Sequence, residues 1–154
     1  MAPSYRLPTQ VLVYCFRRTD DCIEYLLLRR MPKYGGFWQG ITGAPEIGET
    51  LIEGAARELK EETQLLPKSL DQVDFGYSFP VEDEWKSAYH PDVSSIDEYV
   101  FLAEIADSID PILSFEHDSF KWERFDRAVG LLKWPDNKKA LEICDRLLQQ
   151  TLKW

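Results

Sequence analysis

The segment from Thr50 to Gln64 is the clearest helix in the chain, and the residues on both sides of it are strand-like. Thr50 with Glu53 three residues on is a capping-box pattern, in which each side chain satisfies a backbone N–H of the other. Ile52, Ala55, Ala56, Leu59 and Thr63 recur at helical spacing, so one face is apolar and must be covered. Upstream, residues 9–16 and 23–30 are rich in β-formers and flank the polar turn Arg17-Arg18-Thr19-Asp20-Asp21, a hairpin pattern. Met31 to Gly36 is a Pro/Gly-rich loop, and Phe37 to Gly43 is a short strand closed by glycine. Beyond Pro67, strands are expected at Val73–Pro80, Ile96–Ile105 and Phe120–Phe125. A short helix around Arg127–Lys133 follows, then a longer one from Pro135, a good first-turn residue, to about Leu152. Strands around a mid-chain helix, with another helix at the end, make an α+β or mixed α/β sandwich. No repeat, low-complexity tract or Gly/Ser linker divides the chain, so residues 1–154 read as a single domain.

Composition narrows the function classes. Hydrophobic residues make up 44% of the chain, enough for a packed core and too many for disorder. The net charge of −9 repels a phosphate backbone, so a nucleic-acid polymer is not an expected partner. The apolar run Val11–Phe16 is too short to span a membrane, and no membrane partner is expected. Cys15, Cys22 and Cys144 are odd in number and lack metal-like spacing, which fits a reduced, cytoplasmic chain.

Glutamates dominate the helix and its approach. Glu46, Glu49, Glu53, Glu58, Glu61 and Glu62 are countered there only by Arg57 and Lys60. On a helical wheel, Glu58, Glu61 and Glu62 fall within an arc of roughly 100°. The apolar set is centred about 110° away, so one face can be buried while three carboxylates line an adjacent edge. Glu58 and Glu62 are like charges at helical neighbour spacing, in turns where the helix dipole disfavours negative charge. A solvated acidic face tolerates this; a hard divalent cation would turn it into a site. Oxygen-only ligands suit Mg²⁺, or Mn²⁺. The preceding Gly43-Ala44-Pro45-Glu46-Ile47-Gly48-Glu49 loop brings backbone carbonyls and Glu49 to the helix start, where Arg57 could pair with Glu49 or Glu53.

These residues resemble the box of the Nudix hydrolase family, G-x5-E-x7-R-E-U-x-E-E-x-G-U, with U a bulky aliphatic residue. Here it runs from Gly43 through Glu49 to Arg57-Glu58-Leu59-Lys60-Glu61-Glu62-Thr63-Gln64-Leu65, departing only at Gln64. Glycine would normally supply a left-handed cap there, so Gln64 bears on the helix exit and not on the ligands. The resemblance implies an α/β/α sandwich with a loop–helix–loop against a mixed sheet. It also implies Glu58, Glu61 and Glu62 as metal ligands, with the Gly43 carbonyl, and Arg57 and Glu49 as an orienting pair. Family members hydrolyse a nucleoside diphosphate linked to another moiety, using Mg²⁺ and a water nucleophile. Phe37-Trp38-Gln39, Thr42-Gly43, Phe115-Glu116-His117 and Lys121-Trp122 look like the bacterial dihydroneopterin triphosphate and dATP pyrophosphohydrolases. That likeness makes Glu116 a candidate further ligand or general base.

The expected substrate is therefore a small-molecule nucleotide or pterin triphosphate, cleaved to pyrophosphate by a monomer or homodimer. Oxidised dNTPs, dinucleoside polyphosphates and a non-catalytic nucleotide-binding role suit the same box. Arg29 and Arg30 are candidate phosphate contacts or ordinary strand-end charges. Phe37 and Trp38 either stack on a ring or pack in the core, and Gln39 reads a base edge or is solvated. Glu98 reads as another possible acid or as an ordinary outward-facing strand carboxylate, and His117 as surface or structural.

Overall fold

The computed structural model describes residues 5–20 and 22–151. Asp21 and the expected end of the last helix at Leu152 lie outside them. Seven strands form one mixed sheet: β1 (Thr9–Thr19), β2 (Cys22–Arg30), β3 (Trp38–Gln39), β4 (Ile41–Gly43), β5 (Ser69–Pro80), β6 (Ser95–Glu104) and β7 (His117–Arg124). Three helices pack on it: α1 (Leu51–Thr63), α2 (Phe125–Leu131) and α3 (Pro135–Thr151). The central strand β1 runs parallel to β6 and antiparallel to β2 along one half and to β4 along the other. Beyond β2 lie β3 and β7, and beyond β6 lies β5, all antiparallel to their neighbours.

Side chains alternate across a strand, so the apolar run of β1 supplies two cores. Val11, Val13 and Cys15 join Leu26, Leu28 and Phe101 under Ala55 and Leu59 of α1. Leu12, Tyr14 and Phe16 join Tyr25, Leu27 and Val100 under Ala140, Leu141 and Cys144 of α3. Buried hydroxyls tie α3 down: Tyr14 donates to the Asn137 carbonyl at 2.8 Å and Tyr25 to Asp145 at 2.7 Å. The expected α+β sandwich of three layers is what the chain forms.

Where the structure departs from the expected elements, local geometry explains it. The expected Phe37–Gly43 strand is two strands, broken at buried Gly40. A Cβ there would sit 2.9 Å from the Val13 carbonyl oxygen and from the Tyr14 ring, so only glycine lets the chain cross from the edge of β2 to that of β1. α2 begins at Phe125, two residues before the expected start at Arg127, and β7 begins at His117. No helix among the described residues is long and apolar enough to cross a membrane.

The capping box closes as expected: the Thr50 N–H donates to Glu53 at 2.9 Å and the Glu53 N–H to Thr50 Oγ1 at 3.2 Å. At the other end, Gln64 takes the left-handed conformation that glycine usually fills (φ 58°, ψ 17°), its N–H donating to the Lys60 carbonyl at 2.8 Å. The helix exit is thus preserved despite the side chain, at a backbone cost of about 1 kcal/mol. Gln64→Gly is expected to add roughly 0.5–1 kcal/mol of stability, a rise in Tm of about 1–4 °C at this chain length. Thermal melting checks this.

Candidate active site

The loop before α1 is organised by one guanidinium. Glu49 accepts the Glu46 N–H at 2.7 Å, folding the loop on itself. Arg57, one helical stretch on, donates to both Glu49 oxygens at 2.8 and 3.0 Å and to the Ala44 carbonyl at 3.0 Å. The Arg57 bonds and the Glu46 N–H hold the Glu49 carboxyl below the usual carboxylate range. Of the two candidate partners, Arg57 takes Glu49, because Glu53 is engaged in the capping box. Its remaining nitrogen donates to Glu58 at 3.0 Å and Glu61 at 3.2 Å, so a single side chain joins loop and acidic edge.

The three carboxylates occupy different environments. Glu58 is mostly buried, and burial pushes its carboxyl up to about 7; Arg57 pulls it down in part, while the charges of Glu61 and Glu62 push it further up. Glu62 is 7% exposed. Burial alone would raise it, but His117 and Ser114 outweigh that and leave it below the usual range. Ser114 Oγ donates to Glu62 Oε2 at 2.7 Å. His117 Nδ1 lies 3.0 Å from the same oxygen and pairs with it when the ring carries both protons, yet neither ring nitrogen makes a hydrogen bond among the described residues. Glu61 is the outermost, with its side chain 56% exposed.

Gly43, Glu58, Glu61, Glu62 and Glu116 all border one cavity of about 900 Å³. Arg30, Arg57, Phe37 and Gln39 border it as well. Phe37 meets Trp134, another cavity residue, edge to face with ring centroids 6.1 Å apart. Glu49 stands behind Arg57 rather than in the cavity wall. Arg29 and Trp38 are turned elsewhere: Arg29 pairs with Asp118 at 2.8 and 3.1 Å, and Trp38 packs over the α3-side core beneath Arg29 and Lys121. Consecutive residues on β2 face opposite ways, which separates Arg29 from Arg30.

Among the described residues, no three His, Cys, Asp or Glu side chains converge on one point as a finished metal cage. Arg57 draws Glu58 and Glu61 toward itself, while Ser114 and His117 hold Glu62. The donor set nonetheless fits a hard divalent cation, being all oxygen. Gly43 adds a fit of shape, because a Cβ there would overlap the Glu58 carboxylate, and glycine alone lets that group lie against the loop backbone. Gly43→Ala is expected to displace Glu58 and to reduce turnover at least tenfold while α1 stays folded. Steady-state rates with circular dichroism would check this.

Two groups of site residues escape a reading by spacing. Ser114 and His117 come to Glu62 across more than fifty residues, and no local pattern announces them. Glu98 is not outward-facing as expected: it is 3% exposed and borders the cavity. The signal was present, since Glu98 shares its strand face with buried Val100 and Leu102.

Residues 6–146 match the NUDIX domain. The chain belongs to the Nudix family. Over 142 residues, covering 90% of this chain and 87% of the relative, it is 31% identical to a dihydroneopterin triphosphate diphosphatase of Haemophilus influenzae. The structure of the E. coli dihydroneopterin triphosphate pyrophosphohydrolase superposes with a TM-score of 0.74 at 28% identity, covering 91% of this chain and 96% of that one. A 97-residue part of this Nudix chain, 63% of it, is also 39% identical to a quarter (25%) of an octanoyltransferase from Myxococcus xanthus. As a Nudix enzyme the chain is a pyrophosphohydrolase.

Proposed function

We propose that this Nudix enzyme hydrolyses dihydroneopterin triphosphate, or a dATP-like nucleoside triphosphate, to pyrophosphate and the monophosphate in a Mg²⁺-dependent reaction. The observation that carries the proposal is the carboxylate edge of α1 facing a cavity whose wall also carries the Arg30 side chain and the Phe37–Trp134 pair. The named activities of the Haemophilus and E. coli relatives support the choice of triphosphate. Glu58, Glu61 and Glu62, with Glu116 and the Gly43 carbonyl, would hold Mg²⁺, and Mn²⁺ in its place. When bound, the cation neutralises phosphate oxygens and lowers the pKa of water.

The chain's own residues supply the rest. Arg57 and Glu49 hold the loop so that Gly43 and Glu58 keep their places. Ser114 and His117 hold the Glu62 carboxylate in place. Glu61, Glu62 or Glu116 would take the proton of the attacking water as its oxygen bonds to phosphorus and the bond between the α and β phosphoryl groups breaks. Arg30, on the cavity wall, would meet phosphate oxygens, and Phe37 with Trp134 would flank a planar ring. Residues 1–154 would act as one Nudix domain in the cytoplasm, where the free thiols of Cys15, Cys22 and Cys144 stay reduced.

Comparing kcat/KM over dihydroneopterin triphosphate, the four dNTPs, 8-oxo-dGTP and diadenosine polyphosphates, with an EDTA control, tests it. The pterin triphosphate or dATP should lead the series, and EDTA should silence it. A dinucleoside polyphosphate in first place would overturn the substrate assignment.

A further inference from the structure

The cavity wall contains a second carboxylate arrangement, separate from the α1 edge and unused by the hydrolysis. Glu98, on β6, is buried at 3% exposure. Its Oε1 accepts from Gln10 Nε2 at 3.1 Å. Tyr77 is its second polar neighbour and pulls its carboxyl down: the Tyr77 hydroxyl accepts Asn137 Nδ2 at 2.7 Å, which leaves its own proton free to turn to the carboxylate. Gln10, Tyr77, Glu98 and Asn137 all border the cavity. Among the described residues, no Lys or Arg pairs with Glu98. A buried carboxylate with no cationic partner is costly, and such groups persist where a ligand completes them. Burial pushes this carboxyl up, with the Asp136 charge adding to it and the Tyr77 and Gln10 bonds opposing.

The unused capacity defines the ligand. A carboxylate offers about four lone-pair sites, and Gln10 and Tyr77 fill two of them. What remains is a pair of acceptors on a planar group, matching two N–H donors side by side on a flat ring. A 2-amino-4-oxopyrimidine ring presents that pair through its ring N–H and its 2-amino group, and it is shared by pterins and guanine. Adenine presents an acceptor nitrogen beside its amino group, and would point a lone pair at the carboxylate.

We propose that Glu98, held by Gln10 and Tyr77, is the specificity-determining residue of the cavity and selects triphosphates carrying a 2-amino-4-oxopyrimidine ring over those carrying adenine. This rests on the reading of the cavity as a triphosphate site. Within that reading it favours the pterin over dATP.

Glu98→Gln tests it, because the amide keeps the shape and an acceptor oxygen but replaces the other acceptor with a donor. The ratio of kcat/KM for dihydroneopterin triphosphate to that for dATP should fall by roughly 10–100-fold, and the dGTP to dATP ratio likewise, as expected for loss of one bidentate contact. The pterin and dGTP arms show which source of the ring is preferred. An unchanged ratio in a variant that melts like the parent would overturn the proposal. A second measurement needs neither turnover nor a variant: neopterin and guanosine should raise the Tm of the unaltered protein, and adenosine should not. Equal shifts from all three would overturn it. Failure of hydrolysis with the selective shifts intact would refute the hydrolytic reading alone. Hydrolysis with dATP preferred would refute this proposal alone.

Discussion

Glu62→Gln is expected to cut turnover by roughly 10³-fold or more while the protein melts as a folded chain. A bound cation contributes several kcal/mol to phosphoryl-transfer transition states, and about 1.4 kcal/mol corresponds to a factor of ten. Glutamine preserves the shape and can still accept from Ser114, so stability should change little, but the anion is gone. Glu61→Gln should act similarly through a more exposed group, without the Ser114 and His117 contacts. Steady-state rates across a Mg²⁺ titration, beside thermal melts, separate lost chemistry from lost fold. Full activity in both single variants would remove the metal assignment.

Arg57→Ala is expected to have the second large effect, and on two readouts together. This guanidinium donates five hydrogen bonds: two to Glu49 and one each to Ala44, Glu58 and Glu61. Its removal frees the loop from the helix and leaves partly buried carboxylates facing one another. The expected loss is about 2 kcal/mol of stability, a Tm drop of roughly 4–8 °C, with turnover falling by at least tenfold. Arg57→Lys should recover little, since a single ammonium cannot span both Glu49 oxygens and the Ala44 carbonyl. Near-parental rates in Arg57→Lys would show that charge alone suffices and that the fork geometry is immaterial.

The parts of this molecule that are legible in the sequence are those encoded by short-range periodicity. The α1 helix announces itself through Thr50, Glu53 and an apolar stripe, and its carboxylate edge follows from the wheel. β1 and β2 are legible because both faces are buried, which forces unbroken apolar runs. What stays hidden is decided by tertiary contact. Ser114 and His117 reach Glu62 only once the loop before β7 folds over the end of α1. Arg29 and Arg30 are equivalent in sequence, and only the β2 pleat sends Arg29 to Asp118 and Arg30 to the cavity. Gly40 breaks a strand because Val13 and Tyr14 lie against it. Glu98 is the instructive case: strand alternation put it on the buried face, whereas its charge suggested solvent.

In the proposed reaction the carboxylate edge of α1 drives metal-dependent release of pyrophosphate from a pterin triphosphate. Phosphorus NMR of dihydroneopterin triphosphate with the purified protein tests it in one tube, with Mg²⁺ present and then after EDTA. Pyrophosphate and the pterin monophosphate should grow in together, and both should stop on chelation. Inorganic phosphate with a diphosphate product, or turnover that continues in EDTA, would contradict the account.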